Sequence, residues 1–96
     1  MSDPNQNTVG ELIQAYYAEH KGPNYFDEQI IIKGWKSVVG AFIAQYTRDL
    51  YIKDGVLFVK LTSDSLRTEL SYSKTVLLRN LNNLVEREVL SDIVFR

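Results

Sequence analysis

Tyr51 and Phe58, with Lys53 and Lys60 beside them, are the residues of this 96-residue sequence whose types and spacing best suit a chemical task. That task is holding another molecule. Aromatic rings stack on bases while nearby cations meet phosphates, the combination with which small sheets hold single strands. The plainer alternative is that a helix covers the rings. Trp35 is the only tryptophan. It reads either as a core residue whose indole N–H finds an acceptor, or as a partly exposed anchor for a protein partner. Arg67 and Lys74, seven positions apart, give one predicted helix a mildly basic side and join Lys53 and Lys60 as candidate nucleic-acid contacts. Asn80, Asn82 and Asn83 either hydrogen-bond a partner or face solvent.

Covalent chemistry finds no footing. There is no cysteine, which excludes disulfides, thiolate metal sites and cysteine nucleophiles. The single histidine, His20, excludes a histidine metal cluster and falls at a predicted helix C-terminus, where a basic group suits the dipole. Serine and threonine hydroxyls lack a positioned base. No G-x-S-x-G, P-loop or G-x-G-x-x-G pattern occurs. Asp27–Glu28 and Glu86–Glu88 fit solvated helix ends. No enzyme activity, metal, cofactor or small-molecule substrate is expected.

Charge narrows the binding classes. Eleven Lys and Arg stand against 12 Asp and Glu, a formal net charge of −1. No tail or half of the chain is basic. A protein that holds nucleic acid chiefly by releasing counterions shows a basic excess, so any basic patch here must be assembled by the fold. The apolar runs are too short for a membrane span, and the polar, slightly acidic N-terminus is unlike a secretory signal. The sequence predicts a soluble, cytoplasmic protein. A hydrophobic content of 45% with 11% aromatics predicts a packed core rather than disorder.

The elements that must position these residues follow from periodicity. Residues 1–7 read as a flexible tail and 8–96 as a single domain. Thr8 through Glu11 form a capping box, and apolar residues from Val9 to Tyr17 predict an amphipathic helix over about Thr8–His20, stopped by Gly22-Pro23. A second helix starts near Asn24 or Asp27 and runs to about Tyr46, with Gly34 and Gly40 predicting a close approach or a kink. The period then changes to two. Asp54-Gly55 joins two strands as a tight hairpin in which opposed residues sum to 109. Leu50, Ile52, Leu57 and Val59 then share one face, while Tyr51 faces Phe58 and Asp49 faces Lys60 on the other. A long helix capped at Ser63 or Ser65 carries Leu66, Leu70, Leu77, Leu81 and Leu84. A terminal strand follows, with Ile93 and Phe95 on one side. The order α-α-β-β-α-β predicts an α+β domain, a small sheet covered by helices.

Several of these segments, in this order, resemble one family. Gly34-Trp35-Lys36-Ser37-Val38-Val39-Gly40, then Ala44-Gln45-Tyr46-Thr47, is similar to the tryptophan, valine-glycine and alanine-x-x-threonine segment of the bacterial DciA family. The resemblance continues through Leu50 to Leu57, Ser65 to Leu70, Leu77 to Asn82 and Ile93 to Arg96. It implies a KH-like fold and a non-enzymatic role in DNA replication, acting with the replicative helicase and helping to place it on DNA. The partner-binding candidates under that reading are Trp35, Tyr51 and Phe58. Family members are expected to carry a basic extension beside this domain, which the sequence does not show. Contact with single-stranded or forked DNA is therefore expected to be weak. A homodimer built on the exposed aromatics is a third possibility.

Overall fold

A computed structural model describes residues 12, 13 and 22–96 of the chain. The helix predicted over Thr8–His20 lies outside the described residues except at Leu12 and Ile13, which are helical and exposed. The remaining elements run α1 (Tyr25–Val39), α2 (Ala41–Gln45), β1 (Thr47–Lys53), β2 (Val56–Leu61), α3 (Asp64–Tyr72), α4 (Lys74–Asn83) and β3 (Asp92–Phe95). The class is α+β, as the periodicities predict.

Two predicted helices are each broken once. The stretch read as one helix from Asn24 or Asp27 to Tyr46 divides at Gly40, whose φ of 90° and ψ of 162° leave helical space. The Gly40 N–H still closes on the Lys36 carbonyl at 2.8 Å, so α1 ends cleanly before the single turn of α2 begins. Gly34 serves a different purpose. A Cβ there would lie 2.5 Å from Leu84 Cδ1, so the bare α-carbon lets the end of α4 press against α1.

The long C-terminal helix divides at Ser73, which has φ −102° and ψ 10°. Serines weaken the last turn of α3 because their hydroxyls compete for backbone groups. Ser71 Oγ donates to the Arg67 carbonyl at 2.7 Å, and the Ser73 N–H turns back to the carbonyls of Leu70 and Ser71. At its start α3 behaves as read, with Ser63 Oγ accepting from the Leu66 N–H at 3.3 Å and Asp64 in the first turn.

The hairpin register agrees with the reading residue for residue from Asp49–Lys60 to Lys53–Val56, and an irregularity between Thr47 and Asp49 extends β1 backwards. Asp54 and Gly55 both have positive φ, 53° and 77°, the signature of a type I′ turn whose twist suits the strands. β3 pairs parallel with β2, giving the sheet order β1-β2-β3.

One face of the sheet closes the core. Leu57, Val59 and Leu61 of β2 and Ile93 of β3 are buried against Ile31 and Trp35 of α1, Leu70 of α3, and Leu77 and Leu81 of α4. Val89 and Leu90 complete it from the irregular segment before β3. The expectation that helices cover the sheet is met on this face. Tyr51, Val56, Phe58 and Val94, on the other face, contribute nothing to the core cluster.

Candidate functional site

The second face of the sheet gathers most of the candidate residues. Strand alternation puts Asp49, Tyr51 and Lys53 of β1 on the same side as Val56, Phe58 and Lys60 of β2. The parallel pairing of Phe58 with Val94 adds Asp92, Val94 and, two residues on, Arg96. Tyr51 and Phe58 are stacked, with centroids 4.9 Å apart and planes 16° from parallel. The Arg96 guanidinium lies 5.6 Å from the Tyr51 centroid and 5.2 Å from that of Phe58, and its Nη2 donates to the Tyr51 hydroxyl. Each ring quadrupole attracts that cation, so the rings are held in place from above. Tyr51 is 36% exposed and Phe58 half-buried. Lys53 and Lys60 are exposed at the margins, with Asp49 opposite Lys60.

The result is a preorganised aromatic platform ringed by Lys53, Lys60 and Arg96. It offers aromatic surface and cations for an anionic rim, with the Asp49 and Asp92 carboxylates on the same face. Among the described residues, no group of three or more acidic, histidine or cysteine side chains is arranged to hold a metal ion. No described helix is long and apolar enough to cross a membrane.

The structure gathers four of the predicted site residues, Tyr51, Phe58, Lys53 and Lys60, on this face. Trp35 is elsewhere. It is 3% exposed, in the core, and its Nε1 donates to Thr47 Oγ1 at 2.9 Å. Thr47 in turn donates to the Ile43 carbonyl at 3.3 Å, so the indole ties α1 directly to the start of β1, which is tied in turn to α2. Of the two readings of this tryptophan, the geometry matches the core one; a partner has almost none of its surface to touch.

Arg67 and Lys74 are also apart from the platform's centre. The break at Ser73 puts them on different helices, so the spacing of seven no longer sets them on one side. Arg67 Nη1 donates to the Leu61 carbonyl at 2.8 Å, and the guanidinium pairs with Asp64, so it braces one end of β2. Lys74 lies 3.4 Å from Asp92, beside the other end. Asn80 and Asn83 are exposed, whereas Asn82 is buried. Its Oδ1 accepts from the N–H groups of Val89 and Leu90 at 3.0 and 2.8 Å, and its Nδ2 donates to the Leu90 carbonyl at 3.0 Å.

Sequence reasoning missed Arg96. Its membership follows from strand alternation only once β3 is known to run parallel to β2 in this register, which no local pattern specifies.

Comparison with known proteins gives the platform its context. No curated protein matches the chain. The model of one family, described as Dna[CI] antecedent, DciA, matches residues 8–95, nearly the whole sequence. That family is associated with helicase loading in DNA replication. With the tryptophan helix, the hairpin and the closing strand all inside the match, the chain belongs to the DciA family.

Proposed function

We propose that this chain is a non-enzymatic replication accessory module, acting in the cytoplasm, that engages the replicative helicase through the platform of Tyr51, Phe58 and Arg96 and helps to place it on DNA. One observation supports this reading most: in a family associated with helicase loading, the aromatic pair on the outer sheet face is already stacked and braced by Arg96 before any partner arrives. Rigid aromatic surface lowers the ordering cost of association, and aromatic and arginine side chains dominate hot spots. Trp35 acts in this reading by fixing α1 to the sheet and makes no contact itself. The test is calorimetric titration of the chain into the helicase from the same organism, without DNA. Saturable heat that Tyr51→Ala with Phe58→Ala abolishes, in a variant still folded by circular dichroism, supports the proposal. Absence of heat at two temperatures overturns it.

A second reading has its own observation, the three cations around planar rings. In it the KH-like domain holds a single strand, the bases stacking on Tyr51 and Phe58 while Lys53, Lys60 and Arg96 meet phosphates. Three phosphate contacts give a logarithmic salt slope of about −2 for single strands. A slope near zero, or binding indifferent to loss of both rings, counts against it.

A further inference from the structure

β1 is the longer of the two sheet edges, seven residues against four in β3. Parity decides which of its backbone groups point outward. In a two-residue hairpin the residues flanking the turn exchange hydrogen bonds, and such pairs alternate along the ladder. Lys53–Val56, Tyr51–Phe58 and Asp49–Lys60 are therefore bonded pairs, and the backbone groups of Leu50 and Ile52 face away from β2. The far side of β2 agrees: the Val59 carbonyl accepts from the Arg96 N–H at 2.8 Å, and the Leu61 N–H donates to the Arg96 carbonyl at 2.7 Å. Among the described residues, the outward Leu50 N–H is met only by the neighbouring Asp49 carboxylate at 2.9 Å, and the remaining outward groups of Leu50 and Ile52 have no protein partner. Both side chains are half-buried aliphatics at the rim of the core.

We propose that this edge pairs antiparallel with β1 of a second copy of the chain, on a two-fold axis at Tyr51. Charge selects the register. With the axis at Tyr51, Asp49 of each copy faces Lys53 of the other, twice by symmetry, and Tyr51 faces Tyr51. Leu50 and Ile52 then face one another as bonded pairs, giving four N–H to carbonyl bonds, and their aliphatic side chains cover each other. Moving the axis to Leu50 sets Asp49 against Tyr51; moving it to Ile52 sets Lys53 against Tyr51. Neither shifted register matches the charges. In the Tyr51-centred pair, Asp49 exchanges its own neighbour's N–H for a lysine, and the N–H gains a carbonyl. The two sheets join into one of six strands, and the platforms meet as a continuous row of Phe58, Tyr51, Tyr51 and Phe58.

The test uses the chain alone, so it is separate from helicase or nucleic-acid binding. Sedimentation equilibrium from about 10 µM to about 1 mM, the range in which weak association is readable, should show a reversible monomer–dimer equilibrium. Asp49→Lys and Lys53→Asp each place like charges opposite at two positions and should weaken dimerisation about tenfold or more. Mixing the two variants restores opposite charges at both positions, so the mixture should dimerise as the parent does. Circular dichroism checks folding. Should Asp49→Lys fail to fold beside Lys60, Lys53→Asp carries the readout alone, because Lys53 faces only Val56 within the hairpin. A chain monomeric throughout the range overturns the proposal, and so does a dimer indifferent to Lys53→Asp or a mixture no stronger than its components.

Discussion

Trp35 and the Tyr51–Phe58 pair are aromatic sites on opposite sides of one sheet, and they solve opposite problems. Trp35 is closed: it lies buried in the same core cluster as Ile31, Leu57 and Val59, and its indole N–H is spent on Thr47. The Tyr51–Phe58 pair is open, with its polar atom turned outward to Arg96. A tryptophan with an internal partner can be buried without leaving an unsatisfied donor. Two rings stacked on each other under a guanidinium can stay exposed without collapsing onto their own core. The difference teaches that the side chain most often found at interfaces is here a brace, and that the smaller rings carry the surface.

The largest expected effect tests the closed site. Trp35→Ala empties a fully packed position and should cost about 3–5 kcal/mol in a denaturant titration, whereas Trp35→Phe should recover most of that. A stable Trp35→Ala variant that fails only in partner binding would break the comparison. Asn82→Ala, on the same closed side, strands two N–H groups and a carbonyl and should cost about 2–4 kcal/mol.

On the open side the balance inverts. Tyr51→Ala with Phe58→Ala should cost about 1–2 kcal/mol of stability, because neither ring belongs to the core cluster, yet weaken partner binding at least about tenfold. Unequal losses of this kind, compared by denaturation and calorimetry, sharpen the contrast. The smallest effect concerns Glu28 in the first turn of α1, whose carboxyl is pushed above its ordinary value of 4.5 by burial. Folding then favours the protonated form, so the stability it contributes is present at low pH and is lost as pH rises through the raised value. Glu28→Gln should flatten that decline as the pH rises past 4.5, measured by denaturation midpoints.

How much was legible depended on whether the deciding interaction is local. The hairpin could be registered from the sequence because Asp54-Gly55 dictates the turn and alternation then fixes the pairs back to Asp49–Lys60, before the irregularity at Thr47. The break at Gly40 was foreshadowed by glycine. The break at Ser73 was not, because Leu70 and Leu77 keep helical spacing across it and the competing hydroxyl of Ser71 leaves no periodic trace. Periodicity placed Trp35 on an apolar stripe but is silent about what faces that stripe. Arg96 was invisible for the same reason as the β3 register: parallel pairing joins segments whose meeting depends on two intervening helices.

That parallel pairing also orders events in time. Tyr51 and Phe58 lie seven positions apart, so the hairpin closes a short loop on the microsecond scale of isolated hairpins. Phe58 and Val94 are 36 positions apart, with α3 and α4 between them, so their pairing has the larger loop to close and is expected after the hairpin. Ile93 belongs to the same strand, so its place in the core depends on that longer-range pairing. The aromatic pair is expected early, and the arginine that steadies it with the later pairing.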